Sequence, residues 1–276
     1  MGFAFVDKGL KERAMTARID QTFAARKANG QAVFVAYMMG GDGGRVESQK
    51  LLEAMPEAGV DIIELGIPFT DPMADGPVIE EAGIRAREAG TTLKTILDMA
   101  AAFRKKNDTT PIIVMGYCNP IHHMGYAAFA KAAKASGVDG AIIVDLPPEE
   151  DSELRAAFDT HDLALIRLAT PTTDAQRLPK VVNGTKGFVY YVSMTGITGA
   201  SFAQAQSVKE QVERIRTASN LPVVVGFGVK TPERAAEVAK DADGVVVGTA
   251  IVKEMHASGV DGALKLIRSL ADGAHS

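Results

Sequence analysis

Residues 64 to 77 read "ELGIPFTDPMADGP" and bring three carboxylates, three prolines and two glycines into one short stretch. The segment follows "VDII", a β-branched strand start, so Glu64 closes a strand while Asp71 and Asp75 lie on a proline-stiffened loop. Side chains alternate along a strand, which puts Val60, Ile62 and Glu64 on one face. If that face is apolar and inward, the Glu64 carboxyl is surrounded by hydrocarbon and its pKa rises into the acid/base range. Asp75, wetter on its loop, is expected to stay ionised. Two carboxyls in unlike environments are how one site separates an acid from a base. A single loop aspartate could equally cap the next helix or pair with a lysine. Glu64, at the end of an apolar run, would need a dedicated partner to be buried without a function.

A second set of residues suits an anion. The runs "VVVGFGVKTP" and "GVVVGTAIVK" carry glycines at their ends, with Gly228 in the first and Gly248 before Thr249 in the second. Glycine lets backbone N–H groups approach a phosphate, and a helix starting at Thr249 adds its dipole. "SMTGITGAS" adds Thr195, Gly196, Thr198 and Gly199. In one loop such glycines would only make tight turns; at three successive strand ends they favour phosphate. Tyr37, Met115, Tyr117, Tyr190 and Phe227 also sit at strand ends. Most such residues are core, as expected of Tyr191, but Tyr190 and Phe227 flank the glycine loops and could wall a flat apolar group. His122 and His123, being adjacent, face different ways and make a poor metal site. They read as loop surface, and Lys230 and Lys253 as solvated or helix-terminal. No metal site is expected, the one cysteine, Cys118, reads as a packing residue, and serine-hydrolase and zincin motifs are absent.

These groups need a scaffold that collects strand ends. Nearly continuous apolar runs recur at 31–37, 60–66, 111–117, 139–147, 163–171, 187–193, 221–228 and 243–250, separated by Ala-, Glu- and Lys-rich segments. Helix starts are legible at Thr231 with Pro232 behind it, and at Thr173 or Asp174. "AGVDIIELG", "SGVDGAIIVDLP" and "DADGVVVG" echo one another, each meeting its strand through an aspartate; "SGVDGALKLIRSL" at 258–270 has helical spacing and reads as the final helix. Eight strands alternating with helices, with no linker between them, predict a single (β/α)8 barrel domain over residues 1–276, with an extra N-terminal helix able to plug its bottom. A doubly wound sheet is the alternative, weakened because "GGDGG" is a poor dinucleotide fingerprint. The net charge of −4, without a long run of one sign, argues against nucleic-acid or anionic-membrane binding. No apolar stretch is long enough to cross a bilayer, no signal peptide is recognisable, and the cysteine usage fits a reducing cytoplasm.

The motifs also carry a family resemblance. "ELGIPFTDPMADGPVI" strongly resembles the signature of tryptophan synthase alpha subunits, and "FVAYMMGGD", "VMGYCNP", "IIVDLPPEE", "YYVSMTGITGA", "VVGFGVKTPE" and "GVVVGTAIVK" extend the likeness nearly end to end. The resemblance implies retro-aldol cleavage of indole-3-glycerol phosphate to indole and glyceraldehyde 3-phosphate. It assigns Glu64 as general acid/base and Asp75 as the carboxylate that stabilises charge at the indole nitrogen. Tyr37, Met115, Ile142, Val144, Tyr190 and Phe227 then border the indole, while Gly199, Gly228, Gly248 and Thr249 hold the phosphate. Thr198 resembles the loop threonine that meets the catalytic-loop aspartate on lid closure. Three departures stand out: Met194 where some members have Arg, Tyr37 for a common Phe, and "GGDGG" for the usual Gly-Asp-Pro. The implied partner is a beta subunit in an alpha2-beta2 assembly. Pyridoxal phosphate belongs to that partner, and no cofactor is implied in this chain. A stand-alone indole-releasing lyase and another phosphate-binding barrel isomerase remain the alternatives.

Overall fold

The strands form where β-branched residues run between small helix-ending residues: β1 (Val33–Met39), β2 (Ile62–Gly66), β3 (Ile112–Gly116), β4 (Gly140–Ile143), β5 (Ala164–Ala169), β6 (Val189–Val192), β7 (Val223–Gly226) and β8 (Gly244–Val247). All pair in parallel, and β8 returns to β1 to close an eight-stranded barrel. The computed structural model describes residues 17–193, 202–226 and 228–276. The helices of the outer layer begin with α1 (Ala17–Ala28), α2 (Arg45–Ala54), α3 (Pro77–Glu88), α4 (Leu93–Arg104), α5 (Cys118–Met124) and α6 (Tyr126–Ala135). They continue with α7 (Ser152–Thr160), α8 (Leu178–Val182), α9 (Phe202–Ser219), α10 (Pro232–Ala239) and α11 (Thr249–Ala274).

Both faces of every strand are covered, which is why the runs are continuously apolar rather than alternating. Val35, Ile62, Ile113, Ile142, Ile166 and Val246 fill the barrel interior, whereas Phe34, Ile63, Val114, Ala141, Leu165 and Val245 meet the helices. Helix α1 plugs the bottom as expected: Ile19 and Phe23 join the interior cluster, and the Phe23 ring lies 5.7 Å from that of Phe188.

The aspartates of the repeated segments have one structural job. The Phe34, Ile112 and Val223 amides each donate to the aspartate before the next strand, Asp61, Asp139 and Asp243 respectively, at 2.8 Å. Each carboxylate also meets an arginine: Asp61 with Arg26 at 2.6 Å, Asp139 with Arg104 at 2.7 Å and Asp243 with Arg216 at 3.1 Å. A backbone amide that has no ladder partner at the start of a strand is thereby satisfied by charge-assisted hydrogen bonding.

Local expectations mostly hold, with corrections. Thr231 caps α10 by accepting from Arg234 N, and a non-helical Gly259 (φ 69°) interrupts α11 before the final helical stretch. Asp174 accepts from Gln176 and Arg177 amides, but the turn it forms only leads into the short α8. Val60 belongs to the outer core rather than to the inward face. The chain is still turning at Gly59 (φ 96°), so alternation toward the interior begins at Ile62. His122 and His123 are exposed as expected, yet they lie on α5 rather than on a loop. The fourth strand ends at Ile143, four residues before the segment read from sequence, because Val144–Pro147 already form the loop above it.

Candidate active site

A cavity of about 1280 Å³ opens at the C-terminal end of the strands. Its floor is the top of the interior cluster, and Glu64 stands on that floor beside Tyr37 of β1, its register partner. Only 2% of Glu64 is exposed, and its Oε1 has no hydrogen-bond partner. Burial lifts the carboxyl to about 8, so near neutral pH it holds a proton it can give. Burial also lifts the pKa of Asp75, while the neighbouring Tyr117 hydroxyl pulls the other way. Asp75 is therefore more enclosed than its loop position suggested, because the loop folds back onto the end of β3.

Two glycines make room for the aromatic walls. A Cβ at Gly66 would lie 2.3 Å from the Tyr37 hydroxyl, and one at Gly226 would lie 2.2 Å from that of Tyr190. Each tyrosine lies flat across a neighbouring strand only because no side chain stands there. Met115, Val144 and Tyr190 line the cavity as read from sequence. Across the mouth, Gly228 (φ 77°), Gly248 and Thr249 line the same cavity, with Gly248 at the N-cap of α11. A buried acid, a second carboxylate, an apolar slot and a glycine-lined helix start thus share one chamber, the chemistry needed to split a flat aromatic group from a phosphorylated chain.

The sequence profile described as tryptophan synthase alpha chain matches residues 23–272. The alpha chain of tryptophan synthase from Legionella pneumophila subsp. pneumophila is 38% identical and superposes with a TM-score of 0.85, over 93% of this chain and 97% of its own. A chain of Mycobacterium tuberculosis tryptophan synthase is 35% identical, with a TM-score of 0.87 over 94% of this chain and 98% of its own. This chain belongs to the tryptophan synthase alpha chain family. It is a carbon–carbon lyase of tryptophan biosynthesis, cleaving indole-3-glycerol phosphate to indole and glyceraldehyde 3-phosphate.

Within this alpha-chain site some residues sit elsewhere than the sequence suggested. Ile142 is fully buried in the interior cluster and does not line the cavity; Ile143 and Val144 do. Strand β4 reaches the mouth only after Ile142, so that side chain supports Met115 and Val144 from below. Thr198, Gly199 and Phe227, like Met194, Thr195 and Gly196, lie outside the described residues. Lys230, read as solvated, is exposed but at the cavity's rim. Sequence reading missed Leu168 and Val246, which line the cavity and were accessible by continuing the inward alternation from Ile166 on β5 and Gly244 on β8. It also missed Arg167, at the cavity's edge and buried in an ion pair with Asp151 at the head of α7. No spacing rule joins those two residues, since one is on β5 and the other precedes a helix.

Proposed function

We propose that Glu64 carries both proton transfers of the alpha reaction and that Asp75 stabilises the charge they create. Glu64 protonates indole C3, and the ring nitrogen takes up positive charge opposite the Asp75 carboxylate. The C3–glycerol bond then breaks with its electrons returning to the ring. The adjacent hydroxyl becomes the aldehyde and gives its proton to the Glu64 carboxylate, which restores the acid. The observation that carries this reading is the buried, unpartnered Glu64 oxygen, which lines a cavity shared with Asp75.

In this reading Tyr37, Met115, Val144, Tyr190 and Phe227 border the indole, with Ile142 as support beneath them. Gly199, Gly228, Gly248 and Thr249 hold the phosphate, and Thr198 closes the lid. The partner is a tryptophan synthase beta subunit in an alpha2-beta2 assembly, and pyridoxal phosphate is that subunit's cofactor. Its docking face is the C-terminal mouth, where Met73 on the β2–α3 loop is 83% exposed. We read the whole chain as one domain working in the cytoplasm; no helix among the described residues is long and apolar enough to cross a membrane. The test is indole release from indole-3-glycerol phosphate by wild type and Glu64→Gln, with and without a beta subunit. Glu64→Gln should lower kcat by roughly a thousandfold, the middle of the usual range for general acid–base groups. Fast turnover by the chain alone would favour a stand-alone lyase, and an active Glu64→Gln would remove Glu64 from the chemistry.

A further inference from the structure

Tyr117 follows the last residue of β3, yet its hydroxyl bonds into the loop between β2 and α3. The Ala74 amide donates to Tyr117 Oη at 3.1 Å, and the ring stacks on Phe69 with centroids 5.4 Å apart and planes 26° apart. Only 3% of Tyr117 is exposed, although Ala74 and Gly76 on either side of Asp75 are exposed. A phenol oxygen that accepts from an amide still has its own proton to give. The next carboxylate along the chain is Asp75, whose pKa the neighbouring Tyr117 hydroxyl acts to lower. Among the described residues no side-chain donor other than Tyr117 acts on the Asp75 pKa in this way. Glu80 of α3 faces it as a like charge, Tyr37 of β1 lies near both it and Glu64, and Asp145 lies near Tyr117.

We infer that Tyr117 is the positioning residue for Asp75: its hydroxyl, by holding the Ala74 amide, fixes the loop so that the Asp75 carboxylate stays toward the indole nitrogen. This rests on the role proposed above for Asp75. The Ala74 amide ties the loop to the Tyr117 hydroxyl one residue from Asp75, and the stack on Phe69 adds packing beside that tie. An exposed loop is thereby tied to a rigid strand end at the one residue whose placement matters for chemistry.

The experiment is kcat/KM against pH for wild type, Tyr117→Phe, Asp75→Asn and the double variant, with a beta subunit present. Tyr117→Phe keeps the stacked ring and removes the hydroxyl. It should lower kcat/KM roughly threefold to tenfold, the worth of one hydrogen bond between uncharged groups. Losing a hydroxyl that acts to lower the Asp75 pKa raises it, so the acid limb of the profile should move to higher pH. In the double variant, the Tyr117 change should add nothing to the loss caused by Asp75→Asn. As a control, Phe69→Leu loses the stack but keeps the hydroxyl, and should cost stability without moving the limb. An unmoved limb with additive losses would overturn the inference while leaving the function intact. Full activity in Asp75→Asn would instead overturn the role of Asp75, and this inference with it.

Discussion

The strand-start aspartates at the N-terminal end of the barrel and Glu64 at the other end show two opposite fates of a buried carboxylate. At the N-terminal end Asp61, Asp139 and Asp243 each hold a strand amide and an arginine. At the C-terminal end Glu64 is buried without any such partner. Residues of similar chemistry, embedded in one barrel, are saturated at those strand starts and, at Glu64, left wanting. Saturation turns a buried charge into a fastening; deprivation turns it into an acid whose proton is available near neutral pH. Removing a carboxylate should therefore harm stability at one end and chemistry at the other.

The largest stability loss should come from Asp139. It accepts from Ile112 N and pairs with both Arg18 and Arg104, and Arg104 is only 10% exposed. Asp139→Asn leaves that guanidinium buried without its counter-charge, a loss of about 3 kcal/mol or more. In a chain of this length that lowers Tm by roughly 6–12 °C. At 25 °C the remaining folded enzyme should keep kcat within about twofold, because a break at the bottom leaves the mouth in place. Calorimetry together with the indole-release assay checks both halves, and a large fall in kcat would mean that the poles are coupled.

Glu64→Gln should do the reverse. The folded carboxyl sits at about 8 against an ordinary 4.5, so between those values the folded state binds a proton that the unfolded state has released. Stability of the wild type then falls as pH rises across this window and levels off above it. Glutamine does not titrate, and groups common to both proteins cancel. The variant should gain on wild type from nothing near pH 4.5 to a maximum above pH 8, with roughly 4–5 kcal/mol as a ceiling for so large a shift. Thermal unfolding at several pH values measures the difference directly. A difference that stays flat with pH would mean that Glu64 has a charge partner after all.

How much of this contrast was legible in sequence depended on whether its cause was local. Strand alternation and the apolar run made the burial of Glu64 readable from "VDIIELG", and the same continuous runs made the closed barrel readable. The aspartate echo was visible too, but its purpose was not. Asp61, Asp139 and Asp243 bond to amides of the preceding strand, a whole helix away in sequence. The tie between Tyr117 and Ala74 and the buried pair of Arg167 with Asp151 were hidden for the same reason, since each joins elements that meet only after the barrel closes. Ile142 failed for a subtler cause: alternation gave its inward direction correctly but not its height, and the cavity floor lies just above it.

The smallest effect separates burial from motif. Asp243 repeats the Asp139 arrangement, taking Val223 N at 2.8 Å and Arg216 at 3.1 Å, but these side chains are 29% and 34% exposed. Water already solvates part of both charges and would solvate the arginine left behind, and asparagine can still accept from the strand amide. Asp243→Asn should then cost about 1 kcal/mol or less, near the range for exposed pairs and well below Asp139→Asn. Its cost should also shrink as salt rises, because an exposed pair is screened more than a buried one. The two variants share the strand-amide bond, so the ratio of their effects measures what enclosure and the second arginine, Arg18, add to a strand-start aspartate. Equal losses at both positions would show that the amide bond, and not the buried charge, holds this end of the barrel together.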